Sequence, residues 1–350
     1  MKSYLDEILE QPYILNNIPL NFNNEIFLKL NELIKDINNN NCDKIILTGM
    51  GGSFYCSYFL YLFLVKHIKI PICLLDCSEL IHNAENIITK NSILIATSQS
   101  GESIELVKLT KFKKQPKISI SITNLPNNTL ANWSNIPLYT FAGPENTVST
   151  KTYTGGYAIQ YLLGYALLKE EERAFENIKL ASKKMKNFLD NSESIIDSAA
   201  KFLEQTDTLT FLGRGYSYSS AAFSALITSE SSKIPCFSLT SSQFRHGPIE
   251  MVREGFKCVI FCDSKETEHL DTELINDIKN FGGKCFVITS TKHNFIENTN
   301  VKLLKLPFIN EELQPMIEVI PIQLLQIPFA KEKGFEPATF TNASKITTKE

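Results

Sequence analysis

Hydroxyl and amide side chains are concentrated in one short segment of this chain. The segment LIATSQSGESIELVKL places polar residues at the end of a predicted strand and directly ahead of a predicted helix, namely Ser98, Gln99, Ser100, Gly101 and Ser103. Backbone N–H groups in the first turn of a helix are unpaired and lie at the positive end of its dipole, so such a loop can surround a phosphate. Serines also cap helices, and Ser100 or Ser103 could instead satisfy the helix N–H groups. The position at the carboxyl end of a strand in a doubly wound sheet favours phosphate binding.

Two further polar loops precede predicted helices. Residues 49–53 read GMGGS, in which the glycines let a ligand approach the backbone and Ser53 offers a hydroxyl. The loop lacks the third glycine of a dinucleotide site and the lysine of a P-loop, so no cofactor is expected. The segment AGPENTVSTKTYTGG carries Thr147 and Ser149 ahead of a helix, which Thr150 could simply cap.

Two residues are candidates for acid–base chemistry. Glu230 ends a predicted helix of small residues, and His246 lies in a predicted turn, QFRHGP. A glutamate can move a proton between adjacent sugar carbons, and a histidine can open a sugar ring near neutral pH. Alternatively, Glu230 is a solvated charge at a helix end and His246 is a loop histidine bound to a backbone carbonyl. The residues alone leave both interpretations open.

The elements that must position these residues follow a repeated rhythm. Short β-rich runs alternate with stretches of helical period, which is typical of βαβ units around a parallel sheet. The predicted strands are 44–48, 70–75, 92–97, 117–123, 208–212, 235–239, 257–263, 284–289 and 303–306, and the predicted helices include 53–66, 103–113 and 315–333. The segments IILTGMGGSFY and LTFLGRGYSYS both read strand, G-x-G-x-S, helix, about 164 residues apart. This similarity indicates two copies of one fold.

The repeat divides the chain into predicted parts. A first domain covers 1–165, connecting helices cover 166–205, and a second domain covers 206–335. The amphipathic patterns that indicate the connecting helices extend over about 151–206. Residues 336–350 show no helical period, so we expect an irregular C-terminal tail. The predicted fold class is α/β, with two doubly wound parallel sheets flanked by helices.

The composition argues against several classes of protein. Lys and Arg number 35 against 38 Asp and Glu, so the net charge of −3 provides no basic surface for nucleic acid or an anionic membrane. The N-terminal stretch carries acids and a proline, and no apolar run is long enough for a membrane span, so we expect a cytoplasmic protein. The histidines and cysteines form no metal-ligand pattern, so no metal is predicted and the thiols are expected to be reduced core residues.

The motifs together resemble those of the double sugar-isomerase (SIS) domain proteins, in particular the isomerase half of glutamine–fructose-6-phosphate aminotransferase. The resemblance covers about residues 25 to 350, and the order and spacing of its motifs are more specific than any single one. The motifs are GMGGS (49–53), SQSGES (98–103), AGPENTVSTK (142–151), GRGYS (213–217), ESSKI through RHGP (230–248) and NASKIT (342–347). The implied fold is two tandem SIS domains.

The resemblance implies a role for each matching residue. Glu230 is the base that moves a proton between C1 and C2, and His246 is a ring-opening group that reaches the neighbouring subunit's site, so a homodimer is implied. Lys345 folds over the site with the tail, closes it and meets the open-chain carbonyl. The residues implied to hold the sugar phosphate are Ser53, Ser98, Gln99, Ser100 and Ser103, with Thr147 and Ser149 near the sugar.

Three departures from the family pattern bear on the reaction. The chain begins directly at the SIS unit, without a glutaminase domain, so we expect no synthesis of glucosamine 6-phosphate from glutamine. Ile227 stands where the synthase pattern has a helix lysine, and Phe223 replaces an acid one turn earlier, so amino groups must be handled differently. The tail lacks the arginine that usually precedes its final lysine motif.

Three functions stay open from the sequence. The expected one is a sugar-phosphate isomerase/deaminase that converts glucosamine 6-phosphate to fructose 6-phosphate and ammonia, and the presence of Lys345 favours it. The alternative is a deglycase that splits 6-phosphorylated fructosamines into glucose 6-phosphate and an amino acid, for which Ile227 leaves room. A sugar-phosphate sensor without catalysis is disfavoured, because Glu230, His246 and Lys345 are kept and no DNA-binding region is evident.

Overall fold

The computed structural model describes residues 2–291 and 297–350. The helices in these ranges are α1 (Tyr4–Leu9), α2 (Gln11–Asn17), α3 (Asn24–Asn38), α4 (Gly51–His67), α5 (Cys77–His82), α6 (Ile104–Thr110), α7 (Thr129–Trp133), α8 (Lys151–Leu167), α9 (Glu171–Leu189), α10 (Glu193–Leu203), α11 (Ser217–Ser232), α12 (Ser241–Arg245), α13 (Glu268–Asn280) and α14 (Gln314–Glu332). The strands are β1 (Lys44–Gly49), β2 (Ile72–Asp76), β3 (Ser92–Thr97), β4 (Ile118–Thr123), β5 (Ile136–Tyr139), β6 (Leu209–Gly213), β7 (Cys236–Thr240), β8 (Lys257–Phe261), β9 (Lys284–Thr289) and β10 (Val301–Lys305).

The chain divides into two compact units. The first unit comprises Glu10–Lys179 together with Thr341–Glu350. The second unit comprises Met1–Leu9 together with Leu180–Phe340. Each unit contains one parallel sheet, and the last ten residues of the tail therefore group with the first sheet.

The first unit is built on a sheet with the strand order β2-β1-β3-β4-β5, which is that of a doubly wound fold. β3 is buried along its whole length, as expected for a strand that is covered on both faces. Ile46, Leu94 and Ala96 belong to a core that includes buried residues of α5, α6 and α7. Because side chains alternate along a strand, Ile45 and Leu47 face the opposite side of the sheet.

α8 is buried around its whole circumference. Its rings pack on those of α4, with centroids 4.8 Å apart for Phe59 and Tyr157 and 5.0 Å apart for Phe63 and Tyr165. A Cβ on Gly164 would lie 2.9 Å from the Phe63 ring, so glycine permits this close approach. The amphipathic pattern predicted from about residue 151 is therefore wrong for this helix, because packing on every side removes the need for a polar face.

The second unit repeats the topology of the first. Its strand order is β7-β6-β8-β9-β10, the same permutation of five successive strands. A Cβ would lie 2.9 Å from the Thr97 carbonyl oxygen at Gly49, and 2.5 Å from the Ser217 carbonyl oxygen at Gly213. Both strand-to-helix turns thus require glycine at the same place. The prediction of two doubly wound sheets is confirmed.

The nine predicted strands are present with ends shifted by at most two residues. β5 was not predicted, because IPLY is short and contains a proline, which an edge strand tolerates. The helix predicted over 103–113 ends at Thr110, and α1 to α3 had no counterpart among the predictions. The tail from residue 336 has no helix or strand, as expected. In the described ranges, no helix has the length and apolar character needed to span a membrane.

Candidate functional site

The candidate ligand site of the first unit lies where its strand order reverses. Gly49 at the end of β1 pairs with Thr97 at the end of β3, so the loops 49–53 and 98–103 leave the sheet side by side. Ligands of doubly wound folds bind in this crevice at the carboxyl ends of the strands. The two loops predicted to hold a phosphate are therefore neighbours.

A small cavity of about 20 Å³ marks the bottom of this crevice, which is room for about one water molecule. It brings together three of the predicted substrate-binding residues, Ser53, Gln99 and Ser149. The other lining residues are Gly52, Cys56, Thr97, Ile122, Thr123, Asn124, Thr140, Thr152, Tyr153 and Gly156. Burial raises the pKa of the Cys56 thiol to about 12, so this cysteine stays protonated at neutral pH and is no nucleophile.

Hydrogen bonds within the serine loop set its shape. Ser98 is buried and its Oγ accepts from the Gly101 N–H at 3.1 Å. The Oγ of Ser100 accepts from the Glu102 N–H at 3.1 Å. Ser103 occupies the N-cap position of α6 without a side-chain capping bond. The interpretation of Ser100 or Ser103 as a cap for the N–H groups of α6 is therefore wrong.

The buried carboxylate of Glu145 fixes the conformation of the third polar loop, which carries Thr147 and Ser149. Glu145 accepts from the backbone N–H and the hydroxyl of Thr150, both at 2.9 Å, and from those of Thr152 at 3.1 and 2.6 Å. Thr150 precedes α8 but makes no side-chain capping bond, because its hydroxyl is directed to Glu145. Sequence reasoning passed over Glu145, although an acid just ahead of the hydroxyl-rich stretch TVSTKT was a usable signal.

The tail lysine completes this arrangement. Lys345 Nζ donates to Glu145 Oε2 at 2.6 Å and to the Thr147 carbonyl oxygen at 2.7 Å. Burial works to raise the pKa of Glu145, but Lys345 and the threonine donors outweigh it, so the pKa lies below its usual range. Since Thr152 also lines the cavity, Lys345 is linked through Glu145 to the wall of the crevice.

Glu230 and His246 belong to the second unit. Glu230 is half-buried in the last turn of α11, and its carbonyl oxygen accepts from the side chain of Lys233. The same lysine donates to the Thr339 carbonyl oxygen at 2.7 Å, which fastens the start of the tail to this helix end. His246 is exposed at the end of α12. Ile227, in place of the expected lysine, is fully buried.

In the second G-x-G-x-S loop, a side chain of the same unit, Glu318, binds the serine hydroxyls. Ser217, which corresponds to Ser53, donates its hydroxyl to Glu318 at 2.7 Å, and Ser220 donates to the other oxygen of that carboxyl. Gly213 pairs with Phe261 as Gly49 pairs with Thr97, so Asp263 occupies the position of Gln99. Burial and the neighbouring Asp263 raise the pKa of Glu318 well above its usual range.

A Glu318→Gln variant should be less sensitive to alkaline pH than the wild-type chain. A carboxyl whose pKa is raised on folding stabilises the fold fully below its unfolded pKa, near 4.5, and this stabilisation is lost as the pH rises through the folded pKa. Above about pH 5, the free energy of unfolding of the wild type should therefore fall more steeply than that of the variant. The difference in slope for one proton is at most about 1.4 kcal/mol per pH unit. Urea unfolding between pH 5 and 9 measures the slope.

The control for this prediction is Glu273→Gln on the exposed side of α13, which should keep the wild-type slope. Equal slopes for wild type and Glu318→Gln would mean that Glu318 carries no proton in the fold.

In the part of the chain that the structure describes, metal ligands are not grouped. Across 2–291 and 297–350, no cluster of three or more His, Cys, Asp or Glu side chains is arranged to hold a metal ion. The polar groups described above at the crevice of the first unit are hydroxyls, amides, the Glu145 carboxylate and the Lys345 amine.

The amino-acid sequence is similar to those of known aminotransferases. It is 29% identical over 352 residues to the glutamine–fructose-6-phosphate aminotransferase (isomerizing) of Pyrococcus horikoshii, covering 99% of this chain and 57% of that protein. It is also 29% identical over 359 residues to the Thermococcus kodakarensis protein of the same name, covering 99% of this chain and 58% of that protein. The chain thus spans a little over half the length of these relatives.

The fold is similar to those of solved structures. The C-terminal domain of glucosamine-fructose-6-phosphate aminotransferase from Francisella tularensis matches with a TM-score of 0.83 and 25% identity, over 97% of this chain and 98% of that one. Tagatose-6-phosphate ketose/aldose isomerase from Escherichia coli matches with a TM-score of 0.83 and 20% identity, over 97% and 95% of the two chains. Glucosamine-6-phosphate deaminase from Thermotoga maritima matches with a TM-score of 0.75 and 20% identity, over 99% of both.

The SIS domain profile matches this chain twice, over residues 40–168 and 202–341. The two matched segments contain the strands of the two parallel sheets. The chain therefore belongs to the SIS domain family, and it carries two copies of that domain in tandem.

Proposed function

We propose that this chain is a phosphosugar isomerase/deaminase, which converts glucosamine 6-phosphate and water to fructose 6-phosphate and ammonia. The observation that carries the proposal is the contact of Lys345 with Glu145 and with the Thr147 carbonyl oxygen. It holds the tail amine beside the loop that lines the crevice with Ser149. A lysine held at this place suits a reaction that passes through an open-chain carbonyl.

The phosphate is proposed to bind at the reversal point of the first sheet. The hydroxyls of Ser53, Ser98, Ser100 and Ser103, the amide of Gln99 and the N–H groups of the two glycine-containing loops are its donors. Thr147 and Ser149 lie on the third loop and are assigned to the sugar. Because these groups are neutral, they can bind an anion in a chain whose net charge is −3.

The proton transfers are assigned to the second unit. His246 opens the sugar ring, and as an exposed residue at a helix end it is free to act on the site of a neighbouring subunit, so a homodimer is part of the proposal. Glu230 then moves a proton from C2 to C1 of the open-chain amino sugar. A second proton passes from the amine nitrogen to O1, so that the C2 amine becomes an imine and the C1 aldehyde becomes an alcohol. Water hydrolyses this imine to the C2 ketone and releases ammonia, which balances the reaction. A cytoplasmic location is proposed with it.

A deglycase that acts on 6-phosphorylated fructosamines is the second candidate. Ile227 favours it, because this fully buried aliphatic residue replaces a cation on α11 three residues before Glu230. A bulkier and less basic amine substituent meets no charge repulsion there. The same proton transfer, run from C1 to C2, would give an imine at C1. Water would hydrolyse this imine to glucose 6-phosphate and a free amino acid.

Ammonia release from glucosamine 6-phosphate by the purified chain is the test. Ammonia and fructose 6-phosphate formed in equal amounts would support the deaminase. A folded chain that binds the sugar phosphate but releases no ammonia would contradict it, and turnover of fructosamine 6-phosphates would then favour the deglycase. Binding without turnover of either substrate would contradict both reactions.

A further inference from the structure

The last residues of the tail are held at three points, of which the contact of Lys345 is only the first. The Thr347 carbonyl oxygen accepts from the Ile104 N–H at 3.1 Å, so the tail takes one of the unpaired donors at the start of α6. The side chain of Glu350 then lies among three donors from α5 and α6. Glu350 lies five positions after Lys345, a stretch that an extended chain spans in at most ~18 Å.

Glu350 is surrounded by groups of opposite charge or by donors. Its Oε1 is 2.6 Å from His82 Nε2 and 3.2 Å from the Ser78 hydroxyl, and its Oε2 contacts Lys108 Nζ. The Glu350 side chain is 21% exposed, whereas Lys108 and His82 are 44% and 54% exposed. Lys108 above all, and His82 with it, lower the pKa of Glu350 to about 2, so the carboxylate is charged at any working pH.

The donors stand on elements that the core holds in place. α5 buries Cys77, Leu80 and Ile81 against the sheet, and α6 buries Leu106 and Leu109. The outward faces of these two helices therefore present Ser78, His82 and Lys108 from fixed positions. A carboxylate that binds all three is tied to the same framework that carries the serine loop.

We propose that Ser78, His82 and Lys108 form a clasp for Glu350 that positions Lys345 for the reaction. The part about the reaction rests on the proposed function, and the part about the tail does not. The clasp residues are positioning residues, because they act on Lys345 through the tail. Loosening the clasp should free the Lys345 amine from Glu145 for a larger fraction of the time.

The test measures how fast the Lys345 amine reacts with an N-hydroxysuccinimide ester, by mass spectrometry of the full chain. Glu350→Gln and Lys108→Met should each raise this rate by up to about fivefold, because an exposed ion pair stabilises the contact it makes only weakly. Lys108→Arg should return the rate towards that of the wild type. Lys111→Met, three residues further along and exposed, should leave it unchanged. Lys151, which is buried against Glu10 at 2.7 Å, serves as the internal reference.

Turnover of glucosamine 6-phosphate by the same proteins tests the link to the reaction. A loss of kcat/KM in Glu350→Gln and Lys108→Met by a similar factor, with recovery in Lys108→Arg, supports the positioning role. Unchanged labelling of Lys345 in both variants would overturn the clasp. If the wild-type chain turns over no phosphosugar, the proposed function fails, and the labelling rates still decide whether the clasp exists.

Discussion

Glu230→Gln should lower the turnover of glucosamine 6-phosphate about 10²- to 10⁴-fold, the usual contribution of a positioned general base. Glutamine has nearly the shape of glutamate but cannot accept a proton, so the half-buried end of α11 should keep its packing. Affinity for the sugar phosphate should stay within about twofold, because the proposed phosphate donors lie on other loops. Steady-state kinetics together with calorimetric binding of fructose 6-phosphate give both quantities.

Glu273→Gln is the matched control for this variant, since Glu273 is an exposed glutamate of the same unit on α13. It should be as active as the wild type. Full turnover by Glu230→Gln would remove Glu230 as the proton carrier. Loss of sugar-phosphate binding together with turnover would instead assign it to substrate binding.

Lys345→Met should abolish most turnover and also destabilise the first unit. Glu145 is fully buried, and without Lys345 it keeps its threonine donors but loses its counter-charge. We expect a loss of roughly 1–3 kcal/mol in the free energy of unfolding, less than for a buried pair with no other donors. Urea unfolding at pH 7 and the ammonia assay measure the two effects.

The two effects of Lys345 can be separated by a second substitution. Lys345→Met combined with Glu145→Gln removes the uncompensated charge, so stability should largely return while turnover does not. Lys349→Met, four residues further along the tail and exposed, is the control and should resemble the wild type in both. A double variant that regained turnover would assign Lys345 a purely structural role.

The ion pair between Glu145 and Lys345 also predicts how the free energy of unfolding depends on acidic pH. Its pKa is lowered in the fold, so its stabilising contribution is present above the unfolded value near 4.5 and is lost as the pH falls through the folded value. Removal of Lys345 takes away a cause of this lowering. The difference in the free energy of unfolding between the wild type and the single variant should therefore shrink as the pH falls below about 4.5 during acid titration.

The elements that sequence reasoning located well are those whose signal is local. Central strands such as β3 are apolar runs that are buried along their whole length. The glycines at Gly49 and Gly213 mark turns that no other residue fits. β5 was not predicted, because four residues that include a proline are too few to show the alternation of a strand. Its place at the edge of the sheet depends on the tertiary structure.

The candidate site was predictable only in part for a similar reason. The adjacency of Ser53 and Gln99 follows from the strand order, in which β1 and β3 are neighbours. The repeated βαβ pattern predicted only that both loops follow strands of one sheet. The contacts of Glu318 could not be predicted from the sequence, because its serine partners lie about a hundred residues earlier in the chain. The roles of Glu230, His246 and Lys345 stay predictions that the variants above must test.

We expect the two copies of the domain to be under different evolutionary constraints at their equivalent loops. In the second copy, the hydroxyl of Ser217 donates to Glu318 of the same chain. Selection on substitutions there should therefore act through packing and folding stability. In the first copy, Ser53 faces a cavity. Selection on substitutions there should therefore act through binding of the proposed ligand. Among natural variants, Ser217 should therefore change together with Glu318, whereas Ser53 should change only when the ligand does.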